Sequence, residues 1–186
     1  MDTILQDILP VLPARLHAPL RHLEHLRPED IRLRVGQPPG VYAAGHETPL
    51  AAAPVTWQEL EQVLMAATDH SYYAAAEQLA DGFVTLPGGH RVGVCGTLAV
   101  RGGNAVSVRN ISSVCIRLAR DVPCAVPELT RSTLLLGAPG SGKTTLLRAC
   151  IRVLSRRGQR VCVADERGEI AACVSGQPQM DVGPCT

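Results

Sequence analysis

The chain has 186 residues, of which 46% are hydrophobic and 3% aromatic, and its formal net charge is +1. The length suffices for one large domain or two small ones, and the near-neutral charge and scarcity of aromatic residues argue against a nucleic-acid partner. Because the sequence has neither a run of 18 apolar residues nor the basic and apolar start of a signal peptide, we expect a cytoplasmic protein without a membrane span.

Helical and strand patterns alternate at the start of the chain. Residues 1–27 have apolar positions at helical spacing, but three prolines interrupt them, which predicts short, broken helices. Residues 30–36 alternate apolar and charged side chains, as a half-buried strand does, and residues 41–43 are expected to return beside it.

Arg32 and Arg34 share one face of this strand. An exposed strand face is the simpler role for them, and contact with an anion or an acidic partner is the alternative.

Two helices are predicted next. Thr56 and Glu59 have the spacing of a capping box, which indicates that a helix begins there. A second helix is predicted over residues 71–80, with Gly82 as its stop.

Strands and turns dominate the segment that follows. Glycine-rich turns separate alternating stretches, which predicts hairpins over residues 82–94 and 98–108 and one more strand over residues 116–120. Strands that follow helices in this way are typical of an α+β unit.

The domain boundaries follow from a change of pattern. We place an N-terminal α+β domain at residues 1–122. Two prolines favour a linker over residues 123–131. Residues 132–186 are then predicted to be the start of an α/β domain, because strand and helix patterns alternate there.

A glycine-rich loop begins this second domain. It fits the pattern G-x-x-x-x-G-K-S/T, which binds the phosphates of ATP or GTP. An apolar run over residues 133–136 precedes it and a helical pattern over residues 145–154 follows it, which is the strand–loop–helix context of a P-loop. Backbone N–H groups and the helix N-terminus of such a loop point at the phosphates. The expected nucleotide-binding residues are Gly137, Ala138, Pro139, Gly140, Ser141, Gly142, Lys143, Thr144 and Thr145.

Lys143 is the only lysine of the chain, and all its other basic residues are arginines. A compact ammonium fits the phosphate pocket of a P-loop, whereas a planar guanidinium is too large for it. Lys143 is therefore predicted to contact the β- and γ-phosphates and to take part in catalysis. The Thr144 hydroxyl is predicted to hold Mg²⁺.

Asp165 and Glu166 follow a second apolar segment, residues 160–164, which is predicted to be a parallel strand. Ligands of open α/β sheets bind at the carboxyl ends of strands, so both acids would lie at the same edge as the P-loop. We expect Asp165 to bind Mg²⁺ and Glu166 to polarise the attacking water. The alternative is an acidic cap that only stabilises the next element.

The last part of the chain is predicted to be loop-like. Nothing after residue 167 supplies another strand that ends in Asp-Glu. A P-loop ATPase sheet usually has more strands than the two predicted here. We therefore expect the sequence to stop inside its ATPase domain.

Two stretches are more specific than the P-loop. They are residues 82–96, GFVTLPGGHRVGVCG, and residues 163–171, VADERGEIA. Together with residues 31–38 and 110–120, they resemble the stage III sporulation protein AA family, which are ATPases of endospore-forming bacteria. That family is similar to the motor ATPases of type II and type IV secretion and of pili. The resemblance covers essentially the whole chain.

The resemblance implies an N-terminal domain followed by a RecA-like ATPase domain that uses ATP and Mg²⁺. It also implies a hexameric ring on a membrane channel between mother cell and forespore. Membrane-associated channel proteins would then be the partners, and contact with the membrane would be peripheral. Asp165 and Glu166 would match the acidic box of secretion ATPases, and Arg109 and Arg117 are candidates to reach a neighbour's nucleotide. Because family members continue further, we expect this chain to bind ATP weakly, hydrolyse it negligibly and form no hexamer.

Two other functions fit less of the sequence. A small P-loop kinase would use Asp165 as its metal ligand, but it needs a lid and an acceptor pocket, for which the chain after Lys143 leaves little room. A non-hydrolysing docking module would use residues 30–120 to bind a membrane partner.

Overall fold

The computed structural model describes residues 3–71, 75–101, 104–138, 140–166, 168–174 and 176–185. The chain is a mixed α and β protein that divides into two compact units, Met1–Ala119 and Arg120–Thr186. Among the described residues, no helix has the length and apolar composition that crossing a membrane requires. The seven cysteines all lie in these described ranges, and none of them forms a disulfide bond.

The first unit is built on one antiparallel sheet. Its strands lie in the order β3-β2-β1-β6-β5-β4. Each strand pairs with its neighbours in antiparallel register, for example Ile31 with Val41 and with Ile116. The strands are β1 Asp30–Arg34, β2 Gly40–Ala43, β3 His46–Pro49, β4 Phe83–Thr85, β5 Arg91–Arg101 and β6 Asn104–Arg117.

Helices supply the other layer of the first unit. They are α1 Thr3–Ile8, α2 His17–His22, α3 Trp57–Ala67 and α4 Ala76–Ala80, with 3₁₀ turns at Leu9–Val11, Ala14–Leu16, Glu24–Leu26 and Pro87–Gly89. The N-terminal helices are short and broken, as the prolines predict. The core is formed by buried apolar residues of the strands, such as Ile31 and Val92, and of the helices, such as Leu60 and Leu64. Alternate strand positions supply these side chains because successive residues of a strand point to opposite faces.

The capping box at α3 is confirmed. The Thr56 hydroxyl accepts a hydrogen bond from the Glu59 N–H at 3.3 Å, and the Glu59 carboxylate accepts one from the Thr56 N–H at 2.9 Å. Both bonds satisfy N–H groups that helix geometry leaves without a partner. Gly82 follows the second predicted helix with a φ of +84°, which is the left-handed conformation expected of a helix stop. The observed helix, α4, is shorter than predicted, and residues 72–74 lie outside the described ranges.

The strands of the first unit are fewer than predicted, and two of them are longer. Both predicted hairpins exist, the first formed by β4 and β5 and the second by β5 and β6. They share β5, because β5 and β6 continue past a register shift between Cys95 and Thr97. The separate strand predicted over residues 116–120 is wrong: it is the end of β6, which stops at Arg117. The sequence analysis also missed β3, whose polar residues pair with β2 at the sheet edge.

The second unit contains one described helix, α5 Lys143–Arg156, which includes the predicted residues 145–154. Gly158, which follows the helical pattern in the sequence, predicts the end of this helix. The helix does end at Arg156, and Gly158 lies beyond it at a φ of +79°. The final segment lacks helices and strands within residues 157–166, 168–174 and 176–185, apart from one isolated bridge between Val174 and Gln177.

Both strands predicted around the P-loop are wrong. The segments 133–136 and 160–164 form no strand among the described residues of this unit. The side chains of Leu134 and Leu136 are 79% and 83% exposed. An apolar run becomes a strand only when another strand satisfies its backbone N–H and C=O groups, and these segments have no such neighbour in the described ranges.

The buried face of α5 is rotated from the predicted one. The pattern predicts an apolar stripe of Leu146, Leu147, Cys150, Ile151 and Leu154, but Leu147 is 39% exposed. The buried residues are Arg148, Ala149, Cys150, Ile151 and Ser155. Two of them are polar, and both bind backbone carbonyls of the last segment, which fixes this rotation: Arg148 binds those of residues 169 and 170, and Ser155 binds that of Val182.

Candidate functional site

The P-loop lies where an irregular segment meets the first turn of α5. Gly140 and Gly142 have φ angles of +76° and +86°, a left-handed conformation that residues with a Cβ rarely adopt. Gly142 directly precedes the helix, and its carbonyl accepts a hydrogen bond from the Leu146 N–H at 2.9 Å. Pro139 lies outside the described residues. The two glycines therefore allow the loop to turn into the helix without backbone strain.

The first turn of α5 carries Lys143, Thr144 and Thr145, all partly buried. The first N–H groups of a helix have no partner within it, and the helix dipole places partial positive charge at the same end. An anion such as a phosphate can accept hydrogen bonds there. The Thr144 hydroxyl is the oxygen of this turn that could hold Mg²⁺.

The Lys143 ammonium turns back onto the loop. Its Nζ donates to the carbonyl oxygen of Gly137 at 2.9 Å and to that of Ala138 at 2.7 Å. These bonds tie the start of the loop to the first residue of the helix. A phosphate oxygen is a stronger acceptor for an ammonium group than a neutral carbonyl, so the same Nζ can exchange these partners for a phosphate.

Asp165 binds a run of three backbone amides. Its Oδ1 accepts from the Glu169 N–H at 2.9 Å, and its Oδ2 accepts from the N–H groups of Ile170 and Ala171 at 2.9 and 3.0 Å. The Asp165 carbonyl also accepts from the Gly168 N–H at 3.1 Å, which closes a turn. The carboxylate therefore caps the segment that follows it, which is the alternative role raised by the sequence.

Arg148 binds the same segment from the helix side. It is 7% exposed, and its guanidinium donates to the carbonyl of Ile170 at 2.7 Å and to that of Glu169 at 2.9 Å. Burial lowers the pKa of Arg148 below its ordinary value, while the carboxylates of Asp121 and Asp165 act in the opposite direction. Arg148 lies four residues after Thr144, so both side chains are on one face of α5.

The structure connects the two predicted parts of the site through this arginine. The P-loop and Arg148 belong to one helix and its preceding turn, and Arg148 holds the segment that begins with Asp165 and Glu166. Glu166 is exposed. Within the described residues, no hydrogen bond or ion pair joins Lys143 directly to either acid. In the described part of this unit, ion pairs instead join Arg152 and Arg156 to aspartates.

Comparison with known proteins identifies the chain's relatives. Residues 4–186 match the family described as sporulation stage III, protein AA. The stage III sporulation protein AA of Bacillus subtilis (strain 168) is 32% identical over 195 residues, an alignment that covers 96% of this chain. The chain belongs to the stage III sporulation protein AA family. The family resemblance inferred from the motifs is thereby confirmed, and the chain spans 63% of the length of its Bacillus relative.

Solved structures similar to this stage III AA chain include an ATPase and a pilus retraction motor. The Legionella pneumophila ATPase DotB is 21% identical, with a TM-score of 0.42, and the alignment covers 77% of this chain and 42% of DotB. The pilus retraction motor PilT, solved with bound ADP, is 18% identical, with a TM-score of 0.41, and the alignment covers 77% of this chain and 44% of PilT.

The candidate arginines of the stage III AA chain's first unit lie on β6. Arg109 is exposed and pairs in register with Thr97, just beyond the register shift. The Arg117 side chain is 74% exposed, and its Nε lies 3.4 Å from Oδ1 of Asp30. Both guanidinium groups are therefore accessible at the surface of the first unit.

Arg32 and Arg34 have an acidic partner within the chain. Both donate to Glu47 on β3, with N···O distances of 2.9 Å for Arg32 and 2.6 Å for Arg34. The Arg34 hydrogen bond, with that of Arg32, lowers the pKa of Glu47 to about 2. The guanidinium of Arg32 also lies 4.3 Å from the centroid of the Tyr42 ring. The acidic partner considered in the sequence analysis is thus a residue of the same sheet.

Sequence reasoning missed Arg148 as part of this site. The apolar residues of α5 predict its helical pattern, and that pattern assigns no role to an arginine that stands between two leucines and an alanine. Its spacing of four residues from Thr144 was the available signal, because residues at that spacing share a face. Only the contact with residues 169 and 170 shows that this face is buried.

Proposed function

We propose that this chain binds ATP with Mg²⁺ at the P-loop and is the nucleotide-binding part of a sporulation motor ATPase. The observation that carries the proposal is the position of the Lys143 ammonium, held by two P-loop carbonyls at the start of α5. An ammonium group, a glycine turn and the N–H groups of a helix N-terminus together form a site for a polyphosphate. Family membership supports the same function.

Each residue of the site has a distinct role in this proposal. The N–H groups of the loop and of the first turn would bind phosphate oxygens. The residues that would line the nucleotide are Gly137, Ala138, Pro139, Gly140, Ser141, Gly142 and Thr145. Lys143 would neutralise the β- and γ-phosphates, and the Thr144 hydroxyl would hold Mg²⁺, which would offset further phosphate charge. Glu166 orients the water that attacks the γ-phosphate.

The activity of the whole protein is a further part of the proposal. Stage III AA proteins would form a hexameric ring in the cytoplasm and act on membrane-associated channel proteins that join mother cell and forespore. Residues 1–122 would form the N-terminal domain, residues 123–131 the linker, and residues 132–186 the start of the RecA-like ATPase domain. In the ring, Arg109 or Arg117 would reach a neighbour's nucleotide.

Equilibrium binding of a fluorescent ATP analogue to the 186-residue chain tests the proposal. Lys143→Ala should weaken binding at least about tenfold, because it removes the charge-assisted bonds to the phosphates. Arg160→Ala is the matched control, since it removes one exposed positive charge outside the loop and should change the affinity less than about twofold. Equal affinity of the wild type and Lys143→Ala would overturn the proposed function.

A further inference from the structure

Backbone N–H and C=O groups of residues 169–171 are both held by side chains. Asp165 accepts from three consecutive amides, those of residues 169–171, at 2.9–3.0 Å. Arg148 donates to two carbonyls of the same stretch, those of residues 169 and 170, at 2.7 and 2.9 Å. One carboxylate and one guanidinium thus hold the two sides of a single short backbone segment.

The use of Asp165 in this arrangement conflicts with its predicted role as a metal ligand. Oδ2 accepts two amide N–H groups and Oδ1 accepts one, so a single acceptor position, on Oδ1, is left for a metal ion. Magnesium demands near-ideal octahedral geometry, and a carboxylate held in one orientation by three amides meets that demand only if this one position points at the ion. Amide donors around a carboxylate also compensate its charge, which reduces its attraction for a cation.

The anchoring arginine lies on the helix face that starts at the P-loop. Thr144 and Arg148 are one helical turn apart, and Arg148 is buried where it meets residues 169 and 170. The other end of the segment is fixed too, because the Ala171 carbonyl accepts from the N–H groups of Gln179 and Met180 at 2.9 and 3.1 Å. Glu166 directly follows Asp165, so its backbone is kept close to this fastened segment, while its side chain is exposed.

We propose that Arg148 and Asp165 are positioning residues that fasten residues 168–171 to α5 and thereby set the place of Glu166, and that Asp165 is not a Mg²⁺ ligand. This inference rests on the proposed nucleotide site for the role of Glu166. The fastening itself is independent of nucleotide, which allows the two to be tested separately.

Amide hydrogen exchange of the nucleotide-free chain tests the fastening. Asp165→Asn and Arg148→Gln should each speed exchange of the amides of residues 169–171 at least about tenfold, because each removes hydrogen bonds that hold this backbone segment. Exchange in the first unit should be unchanged, which controls for folding. Arg148→Lys should restore part of the protection, since its ammonium can reach one of the two carbonyls. Unchanged exchange in both Asp165→Asn and Arg148→Gln would overturn the proposal.

Metal dependence separates a positioning residue from a ligand. The Mg²⁺ concentration that half-saturates fluorescent-ATP binding should shift less than about threefold in Asp165→Asn but at least about tenfold in Thr144→Ala, which removes the proposed ligand. The same tenfold shift in Asp165→Asn, with normal exchange at residues 169–171, would make Asp165 a ligand. If the wild type binds no ATP, the proposed function fails. The hydrogen-exchange result still shows whether Arg148 and Asp165 fasten residues 168–171 to α5.

A double-mutant comparison tests the link to Glu166. Glu166→Gln removes a negative charge near the γ-phosphate and should change the ATP affinity of the wild type measurably. In the Arg148→Gln background the same substitution should change it less than about twofold, because Glu166 is no longer held in place. A merely structural role for Arg148 predicts equal effects of Glu166→Gln in both backgrounds, and that result would contradict the positioning role.

Discussion

Arg148 and Asp165 hold one backbone segment between them, although neither contacts the other through a hydrogen bond in the described residues. The guanidinium binds the carbonyls of residues 169 and 170, and the carboxylate binds the amides of residues 169–171. A buried guanidinium is costly unless its donors are satisfied, and here the satisfying groups are backbone carbonyls of a loop. The order of that loop and the burial of Arg148 therefore depend on each other.

Replacing Arg148 with an apolar residue should destabilise the second unit. Arg148→Met keeps most of the side-chain volume but leaves two half-buried carbonyls without their donor. We expect a loss of about 1–3 kcal/mol in the free energy of unfolding, measured by urea denaturation with a probe in the second unit. Leu147→Gln is the control in the same helix, because that side chain is exposed, and it should cost less than about 0.5 kcal/mol. Equal costs for the two variants would contradict the burial of Arg148.

The Glu47 carboxylate should make the first unit sensitive to acid. Its pKa is about 2 in the folded protein against 4.5 for an unperturbed glutamate, chiefly because Arg34 donates to it. A depressed folded pKa adds stability that is fully present above the unfolded value and is lost as the pH falls through the folded one. Stability should therefore fall between pH 4.5 and 2. Because the pair is partly exposed, the loss attributable to Glu47 should be only about 1 kcal/mol.

The control for this pH dependence is Glu47→Gln, which cannot titrate. Thermal unfolding measured between neutral and acidic pH should show that the stability of this variant falls less with decreasing pH than the stability of the wild type. A Glu47→Gln stability profile identical to that of the wild type over this pH range would contradict the role of the arginine pair.

Glu59 joins two stabilising contacts, and its substitutions should separate them. Its carboxylate caps α3 through the Thr56 N–H and accepts from Arg15, with one N···O distance of 2.7 Å. Glu59→Gln keeps an acceptor for the cap but loses the ion pair, whereas Glu59→Ala loses both. We expect unfolding free energies to fall by about 0.5–1 kcal/mol for Gln and about 1 kcal/mol more for Ala. Denaturant unfolding measures both, and equal losses would show that the cap contributes nothing.

Gly88 should tolerate no side chain. Its φ is +78°, and a Cβ there would lie 2.7 Å from Nε2 of His90 and 3.0 Å from an oxygen of Asp7. His90 cannot withdraw easily, because it is buried and its Nδ1 accepts from the Ala119 N–H at 3.0 Å. Gly88→Ala should therefore lower the free energy of unfolding by about 1–3 kcal/mol more than the backbone strain alone would.

The matched control for Gly88 is Gly45→Ala, which isolates that strain. Gly45 has a φ of +85°, and a Cβ there would meet nothing within 4 Å. The control should cost only about 1–2 kcal/mol, which is the penalty of a left-handed conformation for a residue with a Cβ. Chemical denaturation of both variants measures the difference, and a Gly88→Ala variant no worse than the control would refute the predicted clash.

Local signals in the sequence predicted the elements that depend only on neighbouring residues. The capping box of Thr56 and Glu59 is an interaction within four residues, so the pattern sufficed to place the start of α3. The alternation of residues 30–36 predicted β1 because its apolar positions face one core. Gly158 predicted the end of α5 for a similar reason, since a helix stop needs only one left-handed residue.

Features that depend on distant residues could not be predicted in this way. The runs 133–136 and 160–164 have the composition of strands, but a strand also needs a neighbour to complete its hydrogen bonds. The buried face of α5 was assigned to its leucines, yet the contact of Arg148 with residues 169 and 170 turns another face inward. For the same reason the spacing of Asp165 suggested a metal ligand, while its three amide partners appear only in the structure.

Lys143 offers a direct chemical test of the nucleotide site, because it is the only lysine in the chain. An amine-acylating reagent can modify only this side chain and the N-terminal amino group. Bound ATP should slow acylation of Lys143 at least about fivefold, since a phosphate would engage the Nζ that otherwise donates to two P-loop carbonyls. Mass spectrometry of proteolytic fragments after timed exposure measures both rates in the same sample. The N-terminal amine is the internal control, and its rate should not change. Equal acylation of Lys143 with and without saturating ATP and Mg²⁺ would place the phosphates elsewhere.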